Sequence, residues 1–280
     1  MTMLINLARS KNQFLLRLAL KGMCLLVGLS ASMAFAQFVF GPGAIEPSQL
    51  RSGLTFASEA IAALQKDDDL NPAFLWVEQG QKSWQQNHSN SNDSCESCHK
   101  DASTSMKGVT LKYPRFDDAS HQLVNLEAQI NRCRVQHQHL SPLKYESDEL
   151  LGLTALINLA SRGMEMKKTL TPNLIDPLKR GQARFETRRG QINLACMHCH
   201  TQNYGNHLGG ETLSQGQPVG YPAYRLEWQK MGSLHRRLRA CLSGVKAAIY
   251  PFGSQELMEL ELYLGFRAQG LVIEAPEVRR

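Results

Sequence analysis

Apolar residues recur at spacings of three and four along the chain, and alternating runs of β-branched residues are scarce. This periodicity predicts a mainly helical protein. Two stretches share one pattern, in which three apolar positions are followed at helical spacing by a cysteine, so both cysteines are expected to face a core. The two stripes are Leu123, Leu126, Ile130, Cys133 and Met231, Leu234, Leu238, Cys241.

One further helix is predicted beyond each of these cysteines. Ser-x-Glu-Leu begins at Ser147 and again at Ser254, and each start is followed by an apolar segment that ends near Gly163 or Gly270. Serine is a favoured residue at a helix N-terminus, where its hydroxyl accepts a backbone N–H. The last helix is therefore expected to run from Ser254 to Phe266.

The sequence C-x-x-C-H occurs twice, as Cys95 to His99 and as Cys196 to His200. This spacing is typical of covalent haem attachment, in which two cysteines bond the porphyrin and the adjacent histidine ligates the iron. A zinc knuckle or a pair of disulfides is the alternative. Zinc sites would not need a histidine directly after both pairs, so we expect two haem c groups, held by Cys95, Cys98, Cys196 and Cys199, with His99 and His200 as iron ligands.

The two motifs lie in two similar halves. Paired landmarks keep the same spacing from the cysteines: Gly80-Gln81 and Gly181-Gln182, Trp84 and Phe185, Tyr113-Pro114 and Tyr221-Pro222. Such internal similarity indicates duplication. We predict two tandem cytochrome c-like domains, residues 73–166 and 178–280, joined by a linker at 167–177 and preceded by an N-terminal extension at 37–72. The Tyr-Pro pairs are expected to be extended entries to the following helices.

The first 36 residues are expected to be a secretory signal peptide. They carry four cations and no acid, then an apolar run from Met23 to Leu29 and the small-residue ending Ala34-Phe35-Ala36. A membrane anchor is the alternative, but the apolar stretch is interrupted by Gly41-Pro42. Without these cations the formal net charge of +6 falls close to neutral. The scattered remaining cations do not indicate a nucleic-acid-binding protein.

Three roles are open for Cys133 and Cys241. They could form a disulfide with each other, serve as small core residues, or each ligate a haem iron opposite its histidine. Ligation is favoured, because each cysteine follows its own C-x-x-C-H and occupies the equivalent position of a separate half. No methionine recurs at matching positions. A thiolate ligand favours ferric iron, so low-potential haems are expected.

The second half alone carries a cation one helical turn before its cysteine. Arg237 precedes Cys241, whereas Gln129 precedes Cys133. An arginine beside a nucleophilic sulfur favours binding of an anionic sulfur substrate. Arg236 and Arg239 are expected to be solvated helix charges.

The chain resembles the SoxA family, the dihaem cytochrome subunits of the SoxAX complex of sulfur-oxidising bacteria. The similarity covers nearly the whole chain after the signal peptide, and its most specific stretches are residues 188–196, 210–218, 220–228 and 237–241. It implies a periplasmic heterodimer with SoxX that joins thiosulfate oxidatively to a cysteine of the carrier SoxYZ. It also implies Cys133 as distal ligand of the first haem, Cys241 as distal ligand of the catalytic haem and persulfide site, and Arg237 as the substrate-facing residue.

Other functions are open from the residues alone. A thiosulfate dehydrogenase would form tetrathionate without a carrier, and a plain electron-transfer cytochrome would have no substrate. A dihaem peroxidase needs an open iron site, which paired distal thiolates disfavour.

Overall fold

Residues 42–87 and 93–280 are described by a computed structural model. The chain divides into two compact units, residues 1–44 and 45–280. Of the first unit only residues 42–44 are described, and they include a turn. The predicted signal peptide lies outside the described residues.

The described part is mainly helical, as predicted. Its short 3-10 helices are Pro47–Gln49, Gly53–Phe56 and Thr110–Lys112. Its α-helices are α1 Glu59–Lys66, α2 Phe74–Gln85, α3 Cys95–His99, α4 Ala102–Ser105, α5 Leu126–His137, α6 Asp148–Leu159, α7 Pro172–Glu186, α8 Cys196–His200, α9 Leu234–Gly244 and α10 Gln255–Arg267. Its strands are β1 Arg115–Asp117, β2 Gln122–Val124, β3 His207–Leu208, β4 Glu211–Thr212, β5 Ala223–Arg225, β6 Lys230–Gly232 and β7 Glu277–Arg279.

Two helix pairs form the frame of the unit, α2 against α6 and α7 against α10. Glycine allows a close approach in each pair. A Cβ atom on Gly80 would lie 2.1 Å from the carbonyl oxygen of Gly152, and one on Gly181 would lie 2.0 Å from that of Glu259. Both distances are far below van der Waals contact. The two crossings therefore require glycine at these positions.

The serine starts of α6 and α10 are confirmed. The hydroxyl of Ser147 accepts the backbone N–H of Leu150, and that of Ser254 accepts the N–H of Leu257. Each bond satisfies a donor that has no partner within its own helix. Helix α10 ends at Arg267, one residue beyond the predicted end.

The start of each cysteine stripe was assigned to the wrong kind of element. Leu123 and Met231 are buried as predicted, but they lie in strands β2 and β6. The antiparallel hairpins β1–β2 and β5–β6 come before α5 and α9. The helices begin later because the side chains of Asn125 and Ser233 cap them, accepting from the N–H groups of Ala128 and Arg236.

The Tyr-Pro pairs enter these hairpins rather than the helices directly. Tyr113 has extended backbone angles, as expected for a residue before proline, and β1 begins just after the pair. The predicted linker also differs from the structure, since α7 begins at Pro172 and contains Pro177. Proline is well suited to the first helical position, where no intrahelical N–H bond is lost.

The last strand connects distant parts of the chain. β7 pairs in parallel with β5, with Tyr224 opposite Val278. The side chain of Gln65 on α1 donates to the carbonyl oxygens of Glu274 and Pro276, at 3.1 and 3.3 Å, and accepts from the N–H of Val278 at 2.7 Å. This three-bond connection, the Gln65 clasp, holds α1 against the C-terminal segment.

Candidate functional site

The second C-x-x-C-H motif forms the short helix α8. Cys196 is its first residue, Cys199 follows one turn later, and His200 is its last residue. The Nδ1 atom of His200 lies 2.8 Å from the carbonyl oxygen of Ser214. Because a carbonyl only accepts, Nδ1 carries the hydrogen, and Nε2 is left with a lone pair for a metal. Burial lowers the pKa of His200 to about 4, which favours the neutral imidazole that metals bind.

In the second half Tyr221 lies 21 residues after His200, whereas in the first half Tyr113 lies 14 residues after His99. Ser214 lies in the Gly-rich stretch that supplies this extra length, residues 206–220. Arg267 at the end of α10 fixes both sides of this contact. Its guanidinium donates to the carbonyl oxygen of His200 at 2.8 Å and also to that of Gln215. The guanidinium lies 5.0 Å from the Phe185 ring. The extra residues therefore orient the predicted proximal histidine through the backbone.

Cys241 lies on α9 one helical turn after Arg237. Its sulfur is half-buried, and it acts electrostatically on the attachment pair. Burial first and the Cys241 sulfur second raise the pKa of the Cys196 thiol, which lies at about 11. The side chain of Arg237 keeps 34% of its surface exposed, and its guanidinium lies 3.6 Å from the Glu227 carboxylate. The second half thus brings the predicted attachment, sulfur and cationic residues together.

The first motif forms helix α3. The ring of His99 packs on Trp84 with centroids 5.8 Å apart, and the Trp84 indole N–H donates to the carbonyl oxygen of Lys100 at 2.9 Å. Cys95 packs against the apolar cluster that contains Trp84. Burial first and the Cys133 sulfur second raise the pKa of Cys95 to about 11. Cys133 is therefore near the first attachment pair, as the repeat predicts.

The environment of Cys133 includes a hydrogen bond that the sequence did not indicate. The side-chain amide of Gln129 donates to the Cys133 sulfur at 3.4 Å, and its oxygen accepts from Arg115 at 3.0 Å. Arg115 can reach Gln129 because the β1–β2 hairpin places β1 beside α5. Sequence spacing alone gives no signal for such a contact.

No described cysteine forms a disulfide, and Cys133 and Cys241 are both free. The disulfide alternative for this pair is therefore wrong. Each half instead offers two attachment thiols, an adjacent histidine and a further sulfur. This set of donors fits a covalently attached haem with histidine and sulfur as axial ligands.

Arg236 and Arg239 are not simply solvated. The guanidinium of Arg236 lies 4.2 Å from the Trp228 ring and that of Arg239 lies 4.2 Å from the Phe252 ring. Arg239 also donates to the carbonyl oxygen of Tyr250. These arginines pack on aromatic faces, which leaves Arg237 as the cation next to the Cys241 turn.

Comparison with known proteins identifies the family. The profile described as SoxA/TsdA, cytochrome c domain, matches residues 79–166. The L-cysteine S-thiosulfotransferase subunit SoxA of Pseudaminobacter salicylatoxidans is 37% identical over 230 residues, covering 82% of this chain and 80% of that protein. The chain belongs to the SoxA family.

Further SoxA relatives agree with this assignment. The subunits of Rhodovulum sulfidophilum and Paracoccus pantotrophus are 31% and 32% identical, and each match covers more than four fifths of this chain. The crystal structure of SoxXA from P. pantotrophus has a TM-score of 0.79 at 32% identity, covering 82% of this chain and 87% of that chain. The mainly helical fold of SoxA is therefore shared, and its cytochrome c domain implies covalently bound c-type haem.

Within the described ranges, no helix is both long and apolar enough to cross a lipid bilayer. The apolar stretch to which the membrane-anchor alternative refers lies outside those ranges.

Proposed function

We propose that this chain is the haem-carrying subunit of an L-cysteine S-thiosulfotransferase, which joins thiosulfate oxidatively to a cysteine of the carrier SoxYZ. The names of its SoxA relatives support this activity. One observation carries the proposal in this chain: Arg237, whose side chain is partly exposed, lies one helical turn before Cys241. A cation beside a nucleophilic sulfur is suited to a sulfur dianion.

The chemistry divides into two sulfur–sulfur steps. Arg237 holds thiosulfate so that its outer sulfur faces the Cys241 sulfur. The two sulfurs bond, two electrons leave, and Cys241 then carries an S-thiosulfonate. The thiolate of the carrier attacks the outer sulfur, takes the thiosulfonate group, and releases Cys241 as the thiolate, as in thiol–disulfide exchange. Haem, when bound, accepts the electrons one at a time.

Two haems are proposed, one in each half. Cys95 and Cys98 would attach the first, and His99 and Cys133 would ligate its iron. Cys196 and Cys199 would attach the second, and His200 and Cys241 would ligate its iron. The hydrogen bond from His200 to Ser214 supports this assignment, because it leaves Nε2 with a lone pair that could ligate iron. The matching positions of Cys133 and Cys241 support duplicated domains at 73–166 and 178–280. The extension at 37–72 would precede them, and the connection at 167–177 would include the start of α7.

The proposed partners follow from the same family. A SoxX cytochrome forms the heterodimer, and the SoxXA structure at TM-score 0.79 supports this partner. Thiosulfate and SoxYZ are the two substrates. The proposed location is the periplasm, after export and cleavage of residues 1–36, since haem c attachment and the predicted signal peptide both belong to exported proteins.

The proposal is tested by replacing Arg237 with glutamine, the residue that the first half has at the equivalent position, Gln129. The SoxX complex of Arg237→Gln is compared with wild type in thiosulfate-dependent electron transfer and in thiosulfonate loading of SoxYZ, read by intact mass. We expect both haems to stay attached while kcat/KM for thiosulfate falls at least about tenfold, as for loss of a charge-assisted contact worth about 1.4 kcal/mol or more. The exposed Lys179→Gln, which also removes one positive charge from the second half, is the matched control and keeps wild-type kinetics.

The alternatives give different outcomes in this assay. Tetrathionate formation without SoxYZ would identify a thiosulfate dehydrogenase. Electron transfer from other donors, with no thiosulfate turnover in wild type, would identify an electron-transfer cytochrome. Either result would overturn the transferase proposal.

A further inference from the structure

A chain of two hydrogen bonds leads from β1 to the sulfur of Cys133. Arg115 donates through Nη2 to the Gln129 Oε1 atom at 3.0 Å, and Gln129 donates through Nε2 to the Cys133 Sγ atom at 3.4 Å. Gln129 lies one turn before Cys133 on α5. We call Arg115 and Gln129 the sulfur relay.

The arginine determines which way the amide points. A guanidinium has only donors, so it must meet the oxygen of the Gln129 amide, and this leaves the NH₂ group for the sulfur. The sulfur is then the acceptor. Arg115 is itself positioned by the Asp117 carboxylate at 3.7 Å and by the Tyr113 ring at 5.8 Å. The relay therefore favours negative charge on the Cys133 sulfur without placing a cation on it.

The second half has a different arrangement at the equivalent positions. Ala223 in β5 corresponds to Arg115, and it is completely buried. Arg237 corresponds to Gln129, and its guanidinium lies 3.6 Å from Glu227. In the first half the arginine, Arg115, lies on strand β1. In the second half the arginine, Arg237, lies on helix α9. Only the second arrangement puts a guanidinium on the helix turn before the cysteine.

We propose that Gln129 and Arg115 are positioning residues that hold the Cys133 sulfur as a hydrogen-bonded thiolate and thereby raise the reduction potential of the first haem. The inference rests on the proposed function, in which Cys133 is an axial ligand. A donor to the sulfur withdraws electron density, weakens its donation to iron and stabilises the ferrous state. The same bond places a neutral amide on the sulfur, where the second half has the guanidinium of Arg237 one turn before its cysteine.

The test is a redox titration of the SoxX complex with all haems attached, followed by electron paramagnetic resonance. The first haem is assigned as the signal that changes in Cys133→Met. In Gln129→Leu we expect its midpoint potential to fall and its g values to move, while the second haem is unchanged. Arg115→Met is expected to shift the potential in the same direction by a smaller amount, because the amide is retained but no longer oriented.

Gln136→Leu is the matched control, since Gln136 is an exposed glutamine on the same helix, and it is expected to match wild type. An unchanged potential and spectrum in Gln129→Leu, with thiolate ligation intact, would overturn the relay and leave the proposed function standing. A wild-type first haem without thiolate ligation would overturn the ligand assignment and the relay together. If Gln129→Leu loses its first haem, an unchanged potential in Arg115→Met overturns the relay.

Discussion

The Nδ1 atom of His200 lies 2.8 Å from the backbone carbonyl oxygen of Ser214. This bond comes from a loop that the first half lacks at the same length, and no side chain of the loop is needed to make it. The position of the Ser214 carbonyl therefore depends on the contacts that hold this loop in place. Arg267 is the residue that joins the loop to the motif, through the carbonyl oxygens of Gln215 and His200.

Replacement of Arg267 by methionine is expected to destabilise the second half. The change removes charge-assisted hydrogen bonds worth about 1.5–3 kcal/mol each when buried acceptors lose their donor. Urea denaturation should show a lower free energy of unfolding, and the spectrum of the second haem should broaden. The exposed Lys179→Met is the control. Equal stability of Arg267→Met and wild type would contradict this role of Arg267.

Cys241→Met is expected to keep both haems attached and to abolish transfer of thiosulfate to SoxYZ. The attachment cysteines are untouched, but a neutral thioether cannot form the sulfur–sulfur bond and be displaced again. Haem content is measured by the pyridine haemochrome spectrum and turnover by loading of the carrier. Turnover near the wild-type rate would count against Cys241 as the reacting sulfur.

Gly181→Ala is expected to lower the free energy of unfolding by about 1–3 kcal/mol or more, the usual range for overpacking a well-filled interior. The new Cβ would lie 2.0 Å from the Glu259 carbonyl oxygen, which is backbone and cannot rotate away. Gly244→Ala is the matched control, because nothing lies within 4 Å of a Cβ there. Chemical denaturation of both variants checks the contrast, and similar losses in the two would refute the close-crossing explanation.

Glu127 is expected to make stability depend on pH. It lines a partly open pocket of about 70 Å³ together with Glu261 and Thr154. Burial first and the Glu261 carboxylate second raise the pKa of Glu127 to about 7. The folded protein therefore binds the proton more tightly than the unfolded chain, and the free energy of unfolding falls as pH rises from the ordinary glutamate value of 4.5 to about 7.

Glu127→Gln removes this titration. Between pH 5 and pH 8, titration of Glu127 is expected to lower the free energy of unfolding of the wild type by up to about 3 kcal/mol, at ~1.4 kcal/mol per pKa unit. We expect Glu127→Gln not to show this decrease. Thr154→Val tests whether any change to the cavity wall has the same effect. An identical pH dependence in Glu127→Gln and wild type would show that another group is responsible.

Local signals predicted the parts of the fold that depend on local chemistry. The serines before α6 and α10 act through the next turn of backbone, so they can be recognised from the residues alone. The hairpins at Leu123 and Met231 were missed because an apolar residue just before a capped helix fits the helical spacing equally well. The cap residues Asn125 and Ser233 were the available signal for the true helix starts.

In the candidate site, the sequence likewise predicts the features that depend on local sequence patterns, but not those that depend on tertiary packing. The C-x-x-C-H motifs and the position of Arg237 are sequence patterns with a chemical meaning. The Ser214 carbonyl is a backbone atom, and any residue could supply it. The contact between Arg115 and Gln129 depends on where a hairpin lies against a helix, which is a matter of tertiary packing.

The Gln65 clasp means that the two ends of the compact unit depend on each other. A cut or a bulky fusion that pulls β7 away would also break the bonds that hold α1 through Gln65, although more than two hundred residues separate the two along the chain. Limited proteolysis at either end should therefore expose both α1 and β7. The β5–β6 hairpin would lose its pairing with β7 in the same event.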